Sequence, residues 1–244
     1  MKLTFPVSPA RRLLRAVLRS IFRVIFSLFC RVKITGRENL PETGAYIIAF
    51  NHVSLFEAPF LIAFWSRAVE AAGASDLWER PGIAILVHLY GGIPVRRGEY
   101  DRELMKSVLQ ALQAGCPILV APEGTRSHQP GMQRAHPGIA YIADQASAPI
   151  LPVGIVGTTE DLLTNALRLK RPSLEMHIGK PFRLPALTGK GAELRKARQS
   201  NADLIMRKIA RLLPPAYQGY YQIKPNESDP QLAFRIKDKE NDFT

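Results

Sequence analysis

The sequence has too few cysteines to be organised by disulfides or by a cysteine-bound metal. Only Cys30 and Cys116 occur among 244 residues, and they form no CxxC pair. A chain of this length buries about 70% of the surface that its unfolded form exposes, so its core needs neither kind of cross-link. Two isolated thiols favour a reducing environment, such as the cytoplasmic side of a membrane.

The sequence also lacks a hydrophobic run long enough to cross a bilayer. Near the N terminus the longest apolar stretch covers residues 24–30, whereas a spanning helix needs about 20 apolar residues. Arg19 and Arg23 interrupt the region before it, and no cleavage site of a secretory signal follows. We therefore expect a peripheral or monotopic protein that lies on one leaflet, at the cytoplasmic face, without crossing it.

Several common catalytic signatures are missing as well. The chain contains no HExxH zinc motif, no GxSxG nucleophile elbow, no Walker loop and no glycine-rich dinucleotide fingerprint. Accordingly, no metal site and no bound cofactor are expected. A disordered chain is also excluded, because hydrophobic residues make up 46% of the sequence.

Positive charge is concentrated at the N terminus. Residues 1–37 carry nine basic residues and no acidic one, while the whole chain has a net charge of +12. On a helix, five arginines fall within an arc of about 120° and apolar side chains occupy the opposite side: Arg11, Arg12, Arg15, Arg19 and Arg23 against Leu13, Leu14, Val17, Ile21, Val24 and Leu28. This pattern predicts an interfacial helix with its apolar side in the acyl boundary and its cations at anionic headgroups.

Two other interpretations of this segment remain. An amphipathic helix could dock its apolar side on the core of its own domain, as most such helices do. A basic arm could bind nucleic acid, but the aromatic side chains for base stacking and a known binding motif are missing, so no nucleic-acid partner is expected.

Further along the chain, strand and helix patterns alternate. Apolar runs bounded by turn residues predict strands at residues 32–34, 45–50, 117–121, 149–155 and 174–178, and residues 83–89 and 93–95 are interpreted as two more extended pieces. Helices are predicted at residues 56–67, 101–114, 138–145 and 192–213. The alternation indicates an α/β fold with a layered, mostly parallel sheet flanked by helices. We expect residues 1–31 to form the membrane-associating helix, residues 32–221 to form the main domain, and residues 222–244 to form a polar, flexible tail.

Polar side chains follow directly after the buried strands, where ligands of α/β sheets collect. His52 follows the strand at residues 45–50, and Glu57 begins the next helix. A carboxylate that holds one ring nitrogen of a histidine leaves the other free to accept a proton, so this pair is a candidate general base and its orienter. The alternative is structural: Ser54 and Glu57 also match the S-x-x-E capping box.

Arginines occur at two further strand ends. Arg96 and Arg97 lie in a turn flanked by glycines, and Arg126 follows Glu123 and Gly124. Guanidinium groups bind phosphate bidentately, so these loops predict a phosphorylated substrate near the histidine. Taken singly, each arginine is better explained as a solvated loop charge.

Four ordered blocks resemble the glycerolipid acyltransferases typified by bacterial 1-acylglycerol-3-phosphate acyltransferase, over about residues 45–153. The blocks are Asn51-His52 with Glu57, the Gly92-Ile-Pro-Val-Arg-Arg97-Gly98 turn, Pro122-Glu-Gly-Thr-Arg-Ser127, and Ala148-Pro-Ile-Leu-Pro-Val153. The order, the spacing and the third block together make the resemblance specific. In this family an N-terminal helical element sits on the membrane, in agreement with the charge pattern above.

The resemblance implies transfer of an acyl group from acyl-CoA or acyl-carrier protein to a hydroxyl of a lysophospholipid. His52 and Glu57 would be catalytic, and Pro152 would shape the acyl-side wall. Substrate phosphate would be bound by the second and third blocks, through Arg97, Glu123, Gly124, Thr125 and Arg126. The expected partners are an anionic membrane surface, the lysophospholipid acceptor and the thioester donor.

Two residues depart from the family pattern. Glu57 replaces an aspartate, and its extra methylene lengthens the reach of the carboxylate by roughly 1.5 Å. His136 stands where a lysine is common, and unlike lysine it is charged only near or below about pH 6.5. Two alternatives to 1-acylglycerol 3-phosphate acylation follow: acylation of another acceptor, such as glycerol 3-phosphate or a glycolipid, or a lipid-binding homologue without activity.

Overall fold

Seven strands form one sheet in the part of the chain that the computed structural model describes, which is Phe5, residues 7–95 and residues 102–223. The strands are β1 (Arg31–Thr35), β2 (Ile47–Phe50), β3 (Glu70–Ala74), β4 (Ile93–Val95), β5 (Ile118–Val120), β6 (Ile150–Val156) and β7 (Ser173–Ile178). Their order is β1-β7-β6-β2-β5-β3-β4, and only the β6–β7 pair is antiparallel. The predicted mostly parallel α/β sheet is therefore confirmed.

Helices cover both faces of the sheet. They are α1 (Pro9–Phe29), α2 (Glu57–Phe64), α3 (Ile83–Tyr90), α4 (Arg102–Gln113), α5 (Gly138–Ala146), α6 (Leu162–Leu167), α7 (Gly191–Ala210) and the short α8 (Pro215–Gln218). One apolar cluster joins Phe26 of α1, Phe60 of α2 and Leu162 of α6 to the sheet. A second cluster contains side chains of α4, α5 and α7. Because successive side chains of a strand point to opposite faces, the strands contribute to both clusters.

The structure corrects the prediction for residues 83–89, which form α3 rather than an extended segment. A short apolar run does not distinguish a strand from a buried helix by its periodicity. The helix ends at Gly91, whose left-handed φ of 74° is typical of a helix C terminus. Strand β3 went unpredicted, since its alanines and Gly73 have low strand propensity and its conformation is imposed by pairing with β4 and β5.

The orientation of α1 is the largest departure from expectation. Arg15 is buried and Arg19 and Arg23 bond to the domain, while an apolar strip on the other side is open: Leu13, Val24 and Leu28 are 69%, 64% and 63% exposed. The expected docking of the helix on the core of its own domain is confirmed through Leu18 and Phe26. The expectation of a headgroup contact is wrong for the buried Arg15 and stays a prediction for the exposed Arg12 and Arg23. None of the helices in the described ranges combines the length and apolarity of a membrane span.

The physical reason for this orientation lies at the C-terminal ends of α2 and α3. The last carbonyls of a helix have no partner within it and carry partial negative charge. Arg23 donates to the Ala63 carbonyl at 2.9 Å, and Arg19 donates to the Trp65 carbonyl. The arginines of α1 thus satisfy orphan carbonyls of the helix beneath it.

Arg15 does the same for α3 and also neutralises a buried acid. It is 1% exposed, donates through Nε to the Tyr90 carbonyl at 2.8 Å, and forms a two-point ion pair with Glu70 at 2.6 and 2.8 Å. Its guanidinium also lies 4.6 Å from the centroid of the Tyr90 ring. A bidentate pair with further hydrogen bonds is the geometry in which buried charges offset their desolvation.

We expect Arg15→Met to lower the free energy of unfolding by about 3–5 kcal/mol, because it leaves Glu70 buried without a counter-charge. Combining it with Glu70→Met removes the stranded charge and should recover much of the loss. Denaturant titration of the single and double variants measures both effects. Arg80→Met is the matched control, since its pair with Asp76 is 42% and 47% exposed and should cost under about 1 kcal/mol. Equal losses at the two arginines would contradict this account.

Candidate functional site

The first and third sequence blocks meet at the carboxyl ends of β2 and β5. These strands are parallel neighbours, so the loops that follow them lie side by side. Ser127 N–H donates to the His52 carbonyl at 2.9 Å, and His128 N–H donates to the Val53 carbonyl at 3.0 Å. The two loops are therefore held together by their backbones, and the side chains of both blocks occupy one edge of the sheet.

His52 and Glu57 are in direct contact. Nδ1 of His52 lies 3.0 Å from Oε2 of Glu57, and the two side chains are 18% and 0% exposed. An ionised carboxylate only accepts hydrogen bonds, so Nδ1 carries the hydrogen and Nε2 carries the lone pair of the neutral ring. Among the described residues Nε2 has no hydrogen-bond partner, and the ring lines a cavity. The imidazole is thus oriented as a proton acceptor.

Glu57 is held by more than the histidine. Its Oε1 accepts hydrogen bonds from Ser54 N–H at 2.9 Å and from Thr158 Oγ1 at 2.5 Å. The bond to Ser54 N–H is the carboxylate half of the predicted capping box. The other half is absent, because α2 begins at Glu57 with Phe56 at its N-cap and Ser54 Oγ accepts from Phe56 N–H instead. The added methylene does not separate the pair, because Oε2 still reaches His52.

Glu123 lies beneath the loops rather than in the cavity wall. It is 1% exposed, and its two oxygens accept from His52 N–H at 2.8 Å and Gln133 N–H at 2.7 Å. Burial raises the pKa of Glu123 to about 7, although both N–H donors favour its ionised form. This carboxyl group sets the backbone position of His52, and each of its oxygens accepts from a backbone N–H. Its contact with substrate phosphate stays a prediction.

The rest of the third block is closer to the cavity. Gly124 and Arg126 line it, and Thr125 is half-buried. Gly124 has a left-handed φ of 66°, and an added Cβ would lie 2.8 Å from Cδ2 of His136. Glycine is therefore required at position 124. His136, one of the two residues that depart from the family pattern, packs against it. The guanidinium of Arg126 has no salt bridge within the described ranges, and Arg97 lies outside the described residues.

The cavity has a volume of about 230 Å³. His52, Arg126 and Asp76 contribute an imidazole, a guanidinium and a carboxyl group to its lining. Most of the remaining wall is apolar and includes Ala72, Leu77, Val95, Leu104, Val108 and Ile142. Such a cavity suits an amphiphile whose polar group lies at the histidine. Pro152, predicted to shape the acyl-side wall, packs instead against Gly179 and is not part of this lining.

Sequence reasoning missed several residues that build the site. Thr158 follows β6 and bonds Glu57, and a polar residue directly after a buried strand was the available signal. Asn51 was recognised only as part of a motif, whereas its side chain joins β2 to β6 by accepting from Ile155 N–H at 2.7 Å and donating to the Ile155 carbonyl at 2.9 Å. The cavity wall from β3 was missed together with the strand.

Comparison with known proteins places this geometry in context. The family model described as Acyltransferase matches residues 31–156. Three similar curated proteins are described as 1-acyl-sn-glycerol-3-phosphate acyltransferases. That of Bacillus subtilis is 23% identical over 66% of this chain and 78% of its own length. The Chlamydomonas reinhardtii protein is 24% identical over 78% of this chain, and the match spans 55% of that protein's length. The Brassica napus protein is 23% identical over 57% of this chain, and the match spans 41% of that protein's length.

A solved structure has the same fold. The 1-acyl-sn-glycerophosphate acyltransferase PlsC of Thermotoga maritima superposes with a TM-score of 0.57 at 22% identity, covering 80% of this chain and 79% of that one. The likeness extends beyond the span of the family model and includes more of the sheet than the four blocks.

The raised pKa of Glu123 predicts a specific pH dependence of stability. A carboxyl group that holds its proton up to about pH 7 when folded, but only to 4.5 when unfolded, stabilises the fold fully below pH 4.5 and loses that contribution as pH rises through 7. Relative to Glu123→Gln, the free energy of unfolding of the natural protein should therefore fall by up to about 3 kcal/mol across this window.

Denaturant titrations of the natural protein and of Glu123→Gln at a series of pH values measure this difference in the free energy of unfolding. The contributions of the other titrating groups cancel, because both proteins contain them. Glu160→Gln provides the control, because that nearby carboxylate is 63% exposed. Parallel pH profiles for the natural protein and Glu123→Gln would refute the shifted titration of Glu123.

Proposed function

Because the chain belongs to the acyltransferase family, we propose that it moves a fatty acyl group from acyl-CoA or acyl-carrier protein to a free hydroxyl of a lysophospholipid. The proposed acceptor is 1-acylglycerol 3-phosphate, as the names of the similar proteins suggest. The observation that carries the proposal is the oriented His52–Glu57 pair, whose ring lines a largely apolar cavity together with Arg126.

In the proposed reaction His52 acts as general base. Nε2 takes the proton of the acceptor hydroxyl while its oxygen attacks the thioester carbonyl, which forms the new C–O bond. The tetrahedral intermediate then expels the thiolate, and the imidazolium returns the proton to the sulfur, so the products are the ester and a free thiol. Glu57 keeps the ring in the required tautomer and stabilises the imidazolium while it exists.

The other residues of the site have distinct proposed roles. Arg126 contributes a guanidinium group to the cavity lining and is suited to the acceptor phosphate. Arg97 keeps the same proposed role from the resemblance. Glu123 holds the backbone of His52 in place and acts on catalysis through that position. No covalent acyl-enzyme is required, since the acceptor oxygen attacks the thioester directly.

We further propose that α1 rests in the bilayer interface, at the cytoplasmic face. Its exposed side carries Leu13, Val17, Ile21, Val24 and Leu28, and an open apolar stripe of this length suits the acyl boundary of a leaflet. Its inner arginines are engaged with the domain. Binding of α1 to neutral lipid therefore depends on apolar burial, while Arg12 and Arg23 are the exposed cations of the helix.

We expect His52→Ala to reduce thiol release from an acyl thioester by about 10²–10⁴-fold, because the general base is lost. The assay compares 1-acylglycerol 3-phosphate, glycerol 3-phosphate and a neutral lysolipid as acceptors, and the preferred acceptor identifies the substrate class. His128→Ala is the control, since His128 is on the adjacent loop but 55% exposed and paired with Glu160. Unchanged turnover in His52→Ala would rule out the mechanism.

The membrane contact of α1 is tested by Leu13→Gln, Val24→Gln and Leu28→Gln combined. Each removes an exposed apolar group without touching the inner arginines, so we expect weaker binding to neutral phosphatidylcholine vesicles in a sedimentation assay. Binding of the natural protein to these vesicles should persist at high salt. Tyr220→Gln, at an exposed site elsewhere, is the control. A salt-sensitive interaction, or full binding by the triple variant, would contradict the hydrophobic contact.

A further inference from the structure

A second exposed apolar surface lies on α6 and the turn after it, residues 162–171, here called the α6 ledge. Leu163, Leu167 and Leu169 are 53%, 69% and 72% exposed. Leu162 and Ala166, on the inner side of the same helix, are buried. The helix is therefore fixed to the domain by one side and presents leucines to the outside on the other.

Positive charges predominate beside these leucines. Arg168, Lys170 and Arg171 are exposed, and residues 162–173 contain no acidic residue. Two acids precede the ledge: Glu160 pairs with His128, and Asp161 accepts hydrogen bonds from Thr159 and Asn165 and lies near Lys170. Exposed leucines interleaved with arginine and lysine are complementary to a lipid surface, with acyl chains for the leucines and anionic headgroups for the cations.

The ledge is continuous with the exposed side of α1. Arg171 donates through Nη2 to the Ser27 carbonyl at 3.3 Å, and Arg31 N–H donates to the Pro172 carbonyl at 2.9 Å. Leu28, which is 63% exposed, lies in this last turn of α1. Leu162 of the ledge and Phe26 of α1 belong to one apolar cluster, so both elements cover the same face of the sheet.

The fold itself does not explain why residue 169 is a leucine. Lys170 N–H donates to the Asn165 carbonyl at 3.1 Å and Leu169 N–H to the Ala166 carbonyl at 2.9 Å, which is the Schellman pattern of a helix end. The residue at the position of Leu169 adopts the left-handed conformation, here with φ of 57°, and is usually glycine. A leucine costs more than glycine in this conformation and gains no burial here.

We propose that the α6 ledge is a second membrane contact, in which its leucines enter the acyl boundary and Arg168 and Lys170 bind anionic headgroups. It supplies the charge-dependent contact that the inner arginines of α1 do not make. The inference rests on the membrane association proposed above. The ledge follows Thr158, the residue that bonds Glu57, so this contact holds the edge of the sheet that carries His52 at the lipid surface.

Leu169→Gly and the pair Arg168→Gln with Lys170→Gln test the two parts of this contact separately. Vesicles of phosphatidylcholine alone, and of phosphatidylcholine mixed with phosphatidylglycerol, serve as probes. Leu169→Gly should unfold at the same temperature as the natural protein or above it, and yet bind both vesicles severalfold more weakly. The charge variant should lose about tenfold in affinity for the anionic vesicles alone.

Arg195→Gln with Lys196→Gln is the matched control, since these exposed cations lie on α7, which packs on the other face of the sheet. Natural affinity for both vesicle types in the ledge variants would overturn the proposal, as would an equal loss in the α7 control. Thiol release with short-chain, non-micellar acceptor and donor, without vesicles, should be unchanged in all variants. If the natural protein itself releases no thiol, the acyltransferase proposal fails while the vesicle result still decides the role of the ledge.

Discussion

The structure depends on three arginines of α1 that donate hydrogen bonds to the unpaired C-terminal carbonyls of α2 and α3. Arg19 and Arg23 complete the C terminus of α2, and Arg15 completes that of α3 while neutralising Glu70. Because α2 begins with Glu57, the helix whose C-terminal end is fixed by α1 carries the orienter of His52 at its other end. The element proposed to face the membrane and the element that orients His52 are thereby parts of one packing unit. Apolar burial alone would not impose this geometry, because it is non-directional. Hydrogen bonds between guanidinium groups and carbonyls have preferred directions and so fix how the helices are oriented.

The site in turn depends on a carboxylate that serves both folding and chemistry. Glu57 accepts from Ser54 N–H and from Thr158, which stabilises the start of α2, and from His52, which sets the ring. Its negative charge lies at a helix N terminus, where the backbone favours it. The longer side chain compared with aspartate is accommodated because Thr158 binds one oxygen and leaves the other to the histidine. Activity and local stability are therefore coupled at this residue, and a substitution that disturbs one function disturbs the other.

The sequence allowed the α/β class and the meeting of the first and third blocks to be predicted, because the carboxyl ends of adjacent parallel strands must share an edge. It did not allow the direction of α1 to be predicted. Its periodicity shows that arginines and leucines lie on different sides but not which side meets the domain, and the orphan carbonyls that decide this exist only once α2 and α3 are in place. For the same reason the position of Glu123 beneath the loops could not be predicted. Its two N–H partners come from loops that are 71 and 10 residues away along the chain.

The arrangement of the apolar surfaces also bears on how a substrate would reach the base. A single helix lying in an interface leaves the protein free to rotate about the helix axis, so the distance between the sheet edge and the lipid would vary. The α6 ledge lies beside the end of α1 and is built on the loop that follows β6, near the end of the strand that supplies Thr158. Two contacts that do not share an axis restrict that rotation. With both in the lipid, the carboxyl edge of the sheet is held at the level of the headgroups, where a lysophospholipid presents its free hydroxyl.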